Sequence, residues 1–242
     1  MKNTSQRKKL KIEITIVIII SLITGIMAYL NQYYHAEGVE DALESDVEVT
    51  VTKTEDGYFF DGKGTESAMV FYPGAKVEEI SYAPLMKQLA ANGLDCYLVT
   101  MPGNLAIFGM NKATDVMTAY KYKHWYIGGH SLGGAMAASY AADHADELDG
   151  LLLLAAYSTK DLSGSDLAVV SLVGSEDGVI NRDKLAKYAD NLPKDTTVDI
   201  QFAGGNHAYY GNYGEQDGDG KAGISREEEQ ATVVDAVVEA WL

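Results

Sequence analysis

The stretch Trp125-Tyr126-Ile127-Gly128-Gly129-His130-Ser131-Leu132-Gly133-Gly134 constrains this chain more than any other. An apolar run ends in Gly-x-Ser-x-Gly, and an Ala-rich helical segment follows at once. A serine hydroxyl is a poor nucleophile unless it is held exposed beside a base. A very tight strand-to-helix turn lifts it above a sheet edge. Such a turn crowds the backbone, so the positions two before and two after the serine must lack side chains. Gly129 and Gly133 meet that demand. The helix that follows points its N-terminal N–H groups at the serine, where they favour developing negative charge. The competing reading is a Gly-rich turn with a chance serine. A nucleophilic Ser131 requires an acid and a histidine further along the chain, in that order.

Strand and helix signals alternate through most of the sequence. Val47–Thr52 alternates at period two, Tyr58–Phe60 completes a hairpin, and apolar strands follow at Ala68–Tyr72 and Cys96–Val99. Leu148–Ala156 is almost continuously apolar, as a strand buried on both faces should be. Leu167–Val173 and Thr196–Phe202 are the last strands. Helices are expected near Tyr82–Asn92, Lys112–Tyr120, Gly133–His144 and Arg182–Asn191. A final helix spans about Ser225–Leu242, where Ser225 and Glu228 form a capping box. This alternation implies a parallel sheet with helices on both faces.

In such a sheet the active site lies beyond the carboxyl ends of the strands. Asp177 falls in the turn after Leu167–Val173 and is the candidate acid, holding the histidine's tautomer and stabilising its imidazolium. Its competing reading is a solvated turn aspartate. His207 follows Thr196–Phe202 inside a Gly-rich loop and is the candidate base. The other histidines are worse placed: His35 precedes the first strand, His124 enters a strand, and His144 ends a helix. His130 lies in the turn itself and reads as a shape or specificity residue. An oxyanion needs two N–H donors. Leu132 supplies one. Ala75 supplies the other, because Pro73 has no N–H in the loop Pro73-Gly74-Ala75. Tyr209, Tyr210 and Tyr213, directly after His207, either wall the substrate pocket or pack their own loop. Asp217-Gly218-Asp219-Gly220 shares the opening of a calcium loop, but Arg226 stands where a closing glutamate is required. The alternative is a solvated acidic turn, and no metal site is assigned.

The N-terminus differs from the rest. Residues 1–13 carry a local charge of +4, so the remainder holds −20 against a net −16. Ile14 to Leu30 is uncharged and rich in Ile and Leu. Residues 1–11 are expected to be a cytoplasmic basic segment, 12–30 a transmembrane signal-anchor, 31–46 a stalk, and 47–242 the catalytic domain outside the cell membrane. The rival is a cleaved signal peptide followed by secretion. The acidic remainder excludes a nucleic-acid backbone as partner. Cys96 is the only cysteine, so no intramolecular disulfide forms, and it sits in an apolar run as a small buried side chain.

Phe71-Tyr72-Pro73-Gly74-Ala75, Gly129-His130-Ser131-Leu132-Gly133, Gly174-Ser175-Glu176-Asp177 and Gly205-Asn206-His207 together resemble motifs of the α/β-hydrolase family. More narrowly, the sequence is similar to its small lidless branch of dienelactone hydrolase-like enzymes, over about Val47 to Leu242. The resemblance implies an α/β-hydrolase fold, with triad and oxyanion roles on Ser131, Asp177, His207, Leu132 and Ala75. It departs from that branch in two places. Pro73-Gly74 stands where many relatives have His-Gly, and dienelactone hydrolases use a cysteine where Ser131 stands, so their lactone substrate does not carry over. The short Tyr157–Asp166 link leaves no room for a large cap. The expected activity is cleavage of a small-molecule carboxylic ester or thioester through an acyl-enzyme, without a cofactor. Acyl transfer on the same triad, and a non-catalytic extracellular binding domain, are the alternatives.

Overall fold

A computed structural model describes residues 2–242, so Met1, the first residue of the expected basic segment, lies outside it. Two units are distinct, one ending at Tyr33 and the other spanning Tyr34–Leu242. The first is a helix, α1 (Lys2–Leu30). Among the described residues no helix is long and apolar enough to cross a membrane. The expected transmembrane signal-anchor, and with it the membrane as partner, is therefore withdrawn. The length of the uncharged run gives a physical reason. It holds 17 residues, about 25 Å of helix, against a hydrocarbon layer of about 30 Å. Lys9, Lys11 and Glu13 occupy the turns just before it.

The second unit is built on one eight-stranded sheet in the order β1-β2-β4-β3-β5-β6-β7-β8. Its strands are β1 (Thr50–Thr54), β2 (Gly57–Asp61), β3 (Ser67–Tyr72), β4 (Asp95–Val99), β5 (His124–His130), β6 (Gly150–Leu154), β7 (Ala168–Gly174) and β8 (Thr197–Phe202). β1 and β2 form an antiparallel hairpin at one edge, and β2 meets β4 antiparallel. Every other pairing is parallel. The first strand begins later than its alternation predicts. Asp46 Oδ1 accepts the N–H groups of Glu48 and Val49 at 2.8 and 2.9 Å, which holds that segment in a turn.

The central strands β3 and β6 are buried along their whole length, as their unbroken apolar runs require. Alternation along β3 sends Met69 and Phe71 to one core and Ala68, Val70 and Tyr72 to the other. The first core is closed by α2 (Glu40–Leu43), α3 (Ala83–Ala91) and α7 (Arg226–Trp241) through Ala42, Leu85, Met86, Leu89, Val233 and Val237. The second is closed by α4 (Lys112–Ala119) and α5 (Leu132–Asp143) through Ala113, Val116, Ala137, Ala138 and Tyr140. The short helix α6 (Arg182–Lys187) follows the β7 turn. The capping box expected at α7 is present: Ser225 Oγ accepts from Glu228 N, and Glu228 Oε2 accepts from Ser225 N.

Of residues 31–46, read from the sequence as stalk, 34–46 belong to this unit and pack within it. Tyr34 bridges to Val77, and Val39 and Ala42 are buried. Their small apolar side chains are spaced by acids that face water, a pattern too short to register as a helix. Between Leu154 and Ala168 the chain forms no helix or strand, so nothing inserted there caps the carboxyl ends of the strands.

Candidate active site

β5 delivers the chain to Ser131, which takes φ 52° and ψ −121°, a conformation L-residues rarely adopt. Such strain costs about 1–3 kcal/mol and persists only where the surroundings enforce it. Here Ser131 N–H donates to Leu154 O at 2.9 Å, and Ser131 O accepts from Ala135 N at 3.0 Å, starting α5. The glycines on either side are needed for contact reasons. A Cβ on Gly129 would lie 2.6 Å from Gly133 C, and one on Gly133 would lie 2.2 Å from Tyr72 O. Both clashes are with backbone, which cannot swing away. Gly133→Ala is therefore expected to destabilise the protein by about 1–3 kcal/mol or more, read from urea unfolding. Unchanged stability would show that the β3 end can yield.

Asp177 and His207 meet below this turn, each at the carboxyl end of its own strand. Asp177 Oδ2 lies 2.8 Å from His207 Nδ1, and both side chains are buried. Asp177 Oδ1 accepts from Val179 N at 2.9 Å and Ile180 N at 2.8 Å. Burial pushes the Asp177 carboxyl up. The His207 hydrogen bond and charge, with the two backbone donors, outweigh that and hold it below the usual carboxylate range. His207 Nε2 is buried and has no hydrogen-bond partner among the described residues. Ser131 and His207 line the same cavity of about 340 Å³, otherwise walled mainly by Leu132, Met136, Ala155, Val179 and Ile180. No hydrogen bond joins Ser131 Oγ to His207 Nε2 in this structure, and an approach of that kind is often long before substrate binds.

The loop after β3 packs against the same turn. Gly74 N–H is spent on Tyr82 Oη at 3.1 Å. Among the described residues, the N–H groups of Ala75 and Leu132 donate to nothing. Leu132 opens α5, so its N–H has no intrahelical acceptor. Two donors are thus unspent, Leu132 directly after Ser131 and Ala75 in the loop after β3.

The structure parts company with the sequence over the pocket wall. His130 is buried, its Nδ1 lies 2.7 Å from Tyr82 Oη, and it is not among the residues that line the cavity. Its ring is taken up instead by the Tyr82 hydroxyl and by the His207 ring 4.5 Å away. Tyr209, Tyr210 and Tyr213 do not line the cavity either. Tyr210 Oη donates to Leu172 O, Tyr213 Oη donates to Gln216, and the Tyr209 ring lies under the Arg226 guanidinium. These tyrosines pack the loop. The cavity aromatic is Tyr157, after β6.

Two acids under the His207 loop make contacts that the sequence reading did not assign. Asp219 Oδ2 accepts the N–H groups of His207 and Ala208, each at 2.9 Å. Its Oδ1 accepts from Gly178 at 3.1 Å and Gly220 at 2.8 Å. One carboxylate thus staples the acid turn to the histidine loop, and its oxygens face donors rather than a cation. Glu229 on α7 is buried, and its Oε2 accepts from Asn206 N at 3.0 Å. Burial pushes its carboxyl up to about 8, helped by the charges of Asp219 and Asp177. An acid in the His207 loop was visible in the sequence. Its partners were not, because they come from other loops. Cys96 is buried and reduced, and burial, with Asp95 beside it, pushes its thiol well up, so it stays an unreactive core residue.

A strained serine between a parallel strand and a helix, with an acid and a histidine ending later strands, defines a hydrolase of the α/β type. The chain belongs to the alpha/beta hydrolase family, whose model matches residues 68–231. No curated protein matches the sequence. Among solved structures it is similar to a predicted CIB-like hydrolase from Thermoplasma acidophilum, at 16% identity and TM-score 0.60, covering 79% of this chain and all of that one. It is also similar to TT1662 from Thermus thermophilus, at 10% identity and TM-score 0.56, covering 80% of this chain and all of that one. A third is ESTFA in an Fe-lacking apo form, at 14% identity and TM-score 0.52, covering 81% and 87% of the two chains. At these identities the likeness concerns the fold.

Proposed function

We propose that this hydrolase cleaves carboxylic esters through an acyl-enzyme on Ser131, His207 and Asp177. The observation that carries the reading is the His207 ring. Its Nδ1 is bound by a buried carboxylate, while its Nε2 is unpartnered in the cavity region shared with the strained serine. His207 Nε2 takes the Ser131 proton as the hydroxyl oxygen attacks the carbonyl carbon. Asp177 keeps the ring's other proton on Nδ1 and balances the imidazolium. The N–H groups of Leu132 and Ala75 receive the oxyanion, a contribution of about 3–4 kcal/mol per donor to the transition state. The imidazolium then protonates the departing alcohol. Water, deprotonated by the same nitrogen, hydrolyses the acyl-serine and frees the enzyme. The apolar cavity walls suit a short acyl chain, and no inserted cap follows β6 to enclose a long one.

A fluorophosphonate probe tests this directly. Wild-type protein is expected to become labelled, Ser131→Ala to remain unlabelled, and His207→Ala to label far more slowly. Turnover of short nitrophenyl esters should follow the same order. A folded wild type that takes no label would overturn the reading and favour a binding domain on a hydrolase scaffold.

A further inference from the structure

We propose that Tyr82 and His130 are positioning residues, forming a buried hydroxyl–imidazole relay that holds the oxyanion loop against the serine turn and braces the His207 ring. The inference rests on the ester-hydrolase reading above and names the groups that set its geometry.

Tyr82 is fully buried on the turn that precedes α3. Its Oη is 3.1 Å from Gly74 N and 2.7 Å from His130 Nδ1. Gly74 has only a proton to give, so Oη accepts there. Oη carries one proton of its own, and His130 Nδ1 is the one acceptor within reach among the described residues. The hydroxyl therefore donates to Nδ1, and the neutral His130 ring carries its proton on Nε2. Gly74 must be glycine for this contact. A Cβ would stand 2.8 Å from His130 Nδ1 and 2.9 Å from Tyr82 Oη.

The consequence for the oxyanion loop follows at once. Tyr82 holds the Pro73–Gly74 peptide, and Val77 N–H on Gly74 O at 3.3 Å holds the next one, so the two bonds together aim the free Ala75 N–H. The consequence for the base lies on the other side of the imidazole. The His130 and His207 rings are 4.5 Å apart, tilted by 52°. Tyr210 flanks His130 at 5.4 Å and Phe71 flanks Tyr82 at 5.1 Å, so neither relay ring has room to rotate. Burial, then the charge of His207, hold the His130 imidazole well below its usual range. A neutral neighbour lets His207 become an imidazolium without facing a second cation.

Tyr82→Phe and His130→Ala each break the relay. His130→Asn is the rescue, because its amide oxygen can accept where Nδ1 did. For short nitrophenyl esters, kcat of Tyr82→Phe and His130→Ala should fall about 10- to 100-fold, while KM stays within about twofold. Affinity for a trifluoromethyl ketone, which mimics the tetrahedral oxyanion, should fall in step with kcat/KM. His130→Asn should recover most of both. Thermal melts establish that each variant is folded, and if Tyr82→Phe is not, the two His130 variants carry the comparison. Loss in KM alone, or unchanged ketone affinity in folded variants, overturns the relay. Nitrogen NMR of the His130 ring reads the same relay without catalysis. Nδ1 should be unprotonated in the wild type and change state in Tyr82→Phe. A wild type that fails to take the fluorophosphonate sinks the hydrolase reading, whereas a protonated His130 Nδ1 sinks the relay whatever the activity.

Discussion

Asp177→Asn is expected to lower kcat about 10⁴-fold while leaving the protein folded. The geometry dictates how. The carboxylate uses Oδ1 for two backbone N–H groups and Oδ2 for His207 Nδ1. An asparagine keeps its oxygen on the backbone donors, where an amide N–H could not go. Its NH₂ then faces His207 Nδ1. That nitrogen must become the acceptor, so the ring proton moves to Nε2, the nitrogen needed to take the Ser131 proton. The base is present but in the wrong tautomer. Turnover of a short nitrophenyl ester, with circular dichroism to verify folding, checks this. A loss under about tenfold would mean that Asp177 does not set the tautomer. The same pair has a pH signature in the wild type. Because the Asp177 carboxyl is held below its ordinary range, its stabilisation is complete above that range and fades as pH falls through the lowered value.

Glu229→Gln should abolish a pH dependence of stability that runs the opposite way. The Glu229 carboxyl is displaced from 4.5 to about 8 by burial, reinforced by Asp219 and Asp177 and opposed by Arg226. A raised folded value means that the native state favours the proton. Its contribution to stability is whole below 4.5 and is lost as pH rises through about 8. At about 1.4 kcal/mol per pH unit, the wild type should lose about 3–5 kcal/mol of stability over that interval. Glutamine keeps an oxygen for Asn206 N–H and has no proton to lose. Urea unfolding at pH 5, 7 and 9 should show the variant flat and the wild type declining. Parallel curves for the two proteins would refute the assignment to Glu229. The effect reaches the site through Asn206, whose N–H is held by Glu229 and whose neighbour is His207.

Much of the fold could be read from local pattern. Unbroken apolar runs named β3 and β6, and a serine with a glutamate three later named the start of α7. Boundaries failed where a side chain competed for the backbone, as Asp46 does before β1. Residues 34–46 looked solvated because most of their side chains are. What binds them is a few contacts such as the Tyr34–Val77 bridge, which no periodicity reveals. At the N-terminus, composition suggested a span, but among the described residues no helix is long and apolar enough for one.

The sequence by itself determined the serine turn and the order of the residues around it. Gly129, Ser131 and Gly133 are bound by covalent geometry within five residues, and an acid or histidine that ends a strand is carried to one edge of a parallel sheet. Only the tertiary structure decided what surrounds them. Tyr82 reaches His130 across 48 positions, and Asp219 reaches Gly178 across 41. Strand order brings those segments together, and nothing in the spacing of residues along the chain records it. The same reason leaves His130 and the loop tyrosines outside the lining of the Ser131 cavity. Which face of the sheet a side chain meets depends on what packs there, and packing is a property of the whole chain.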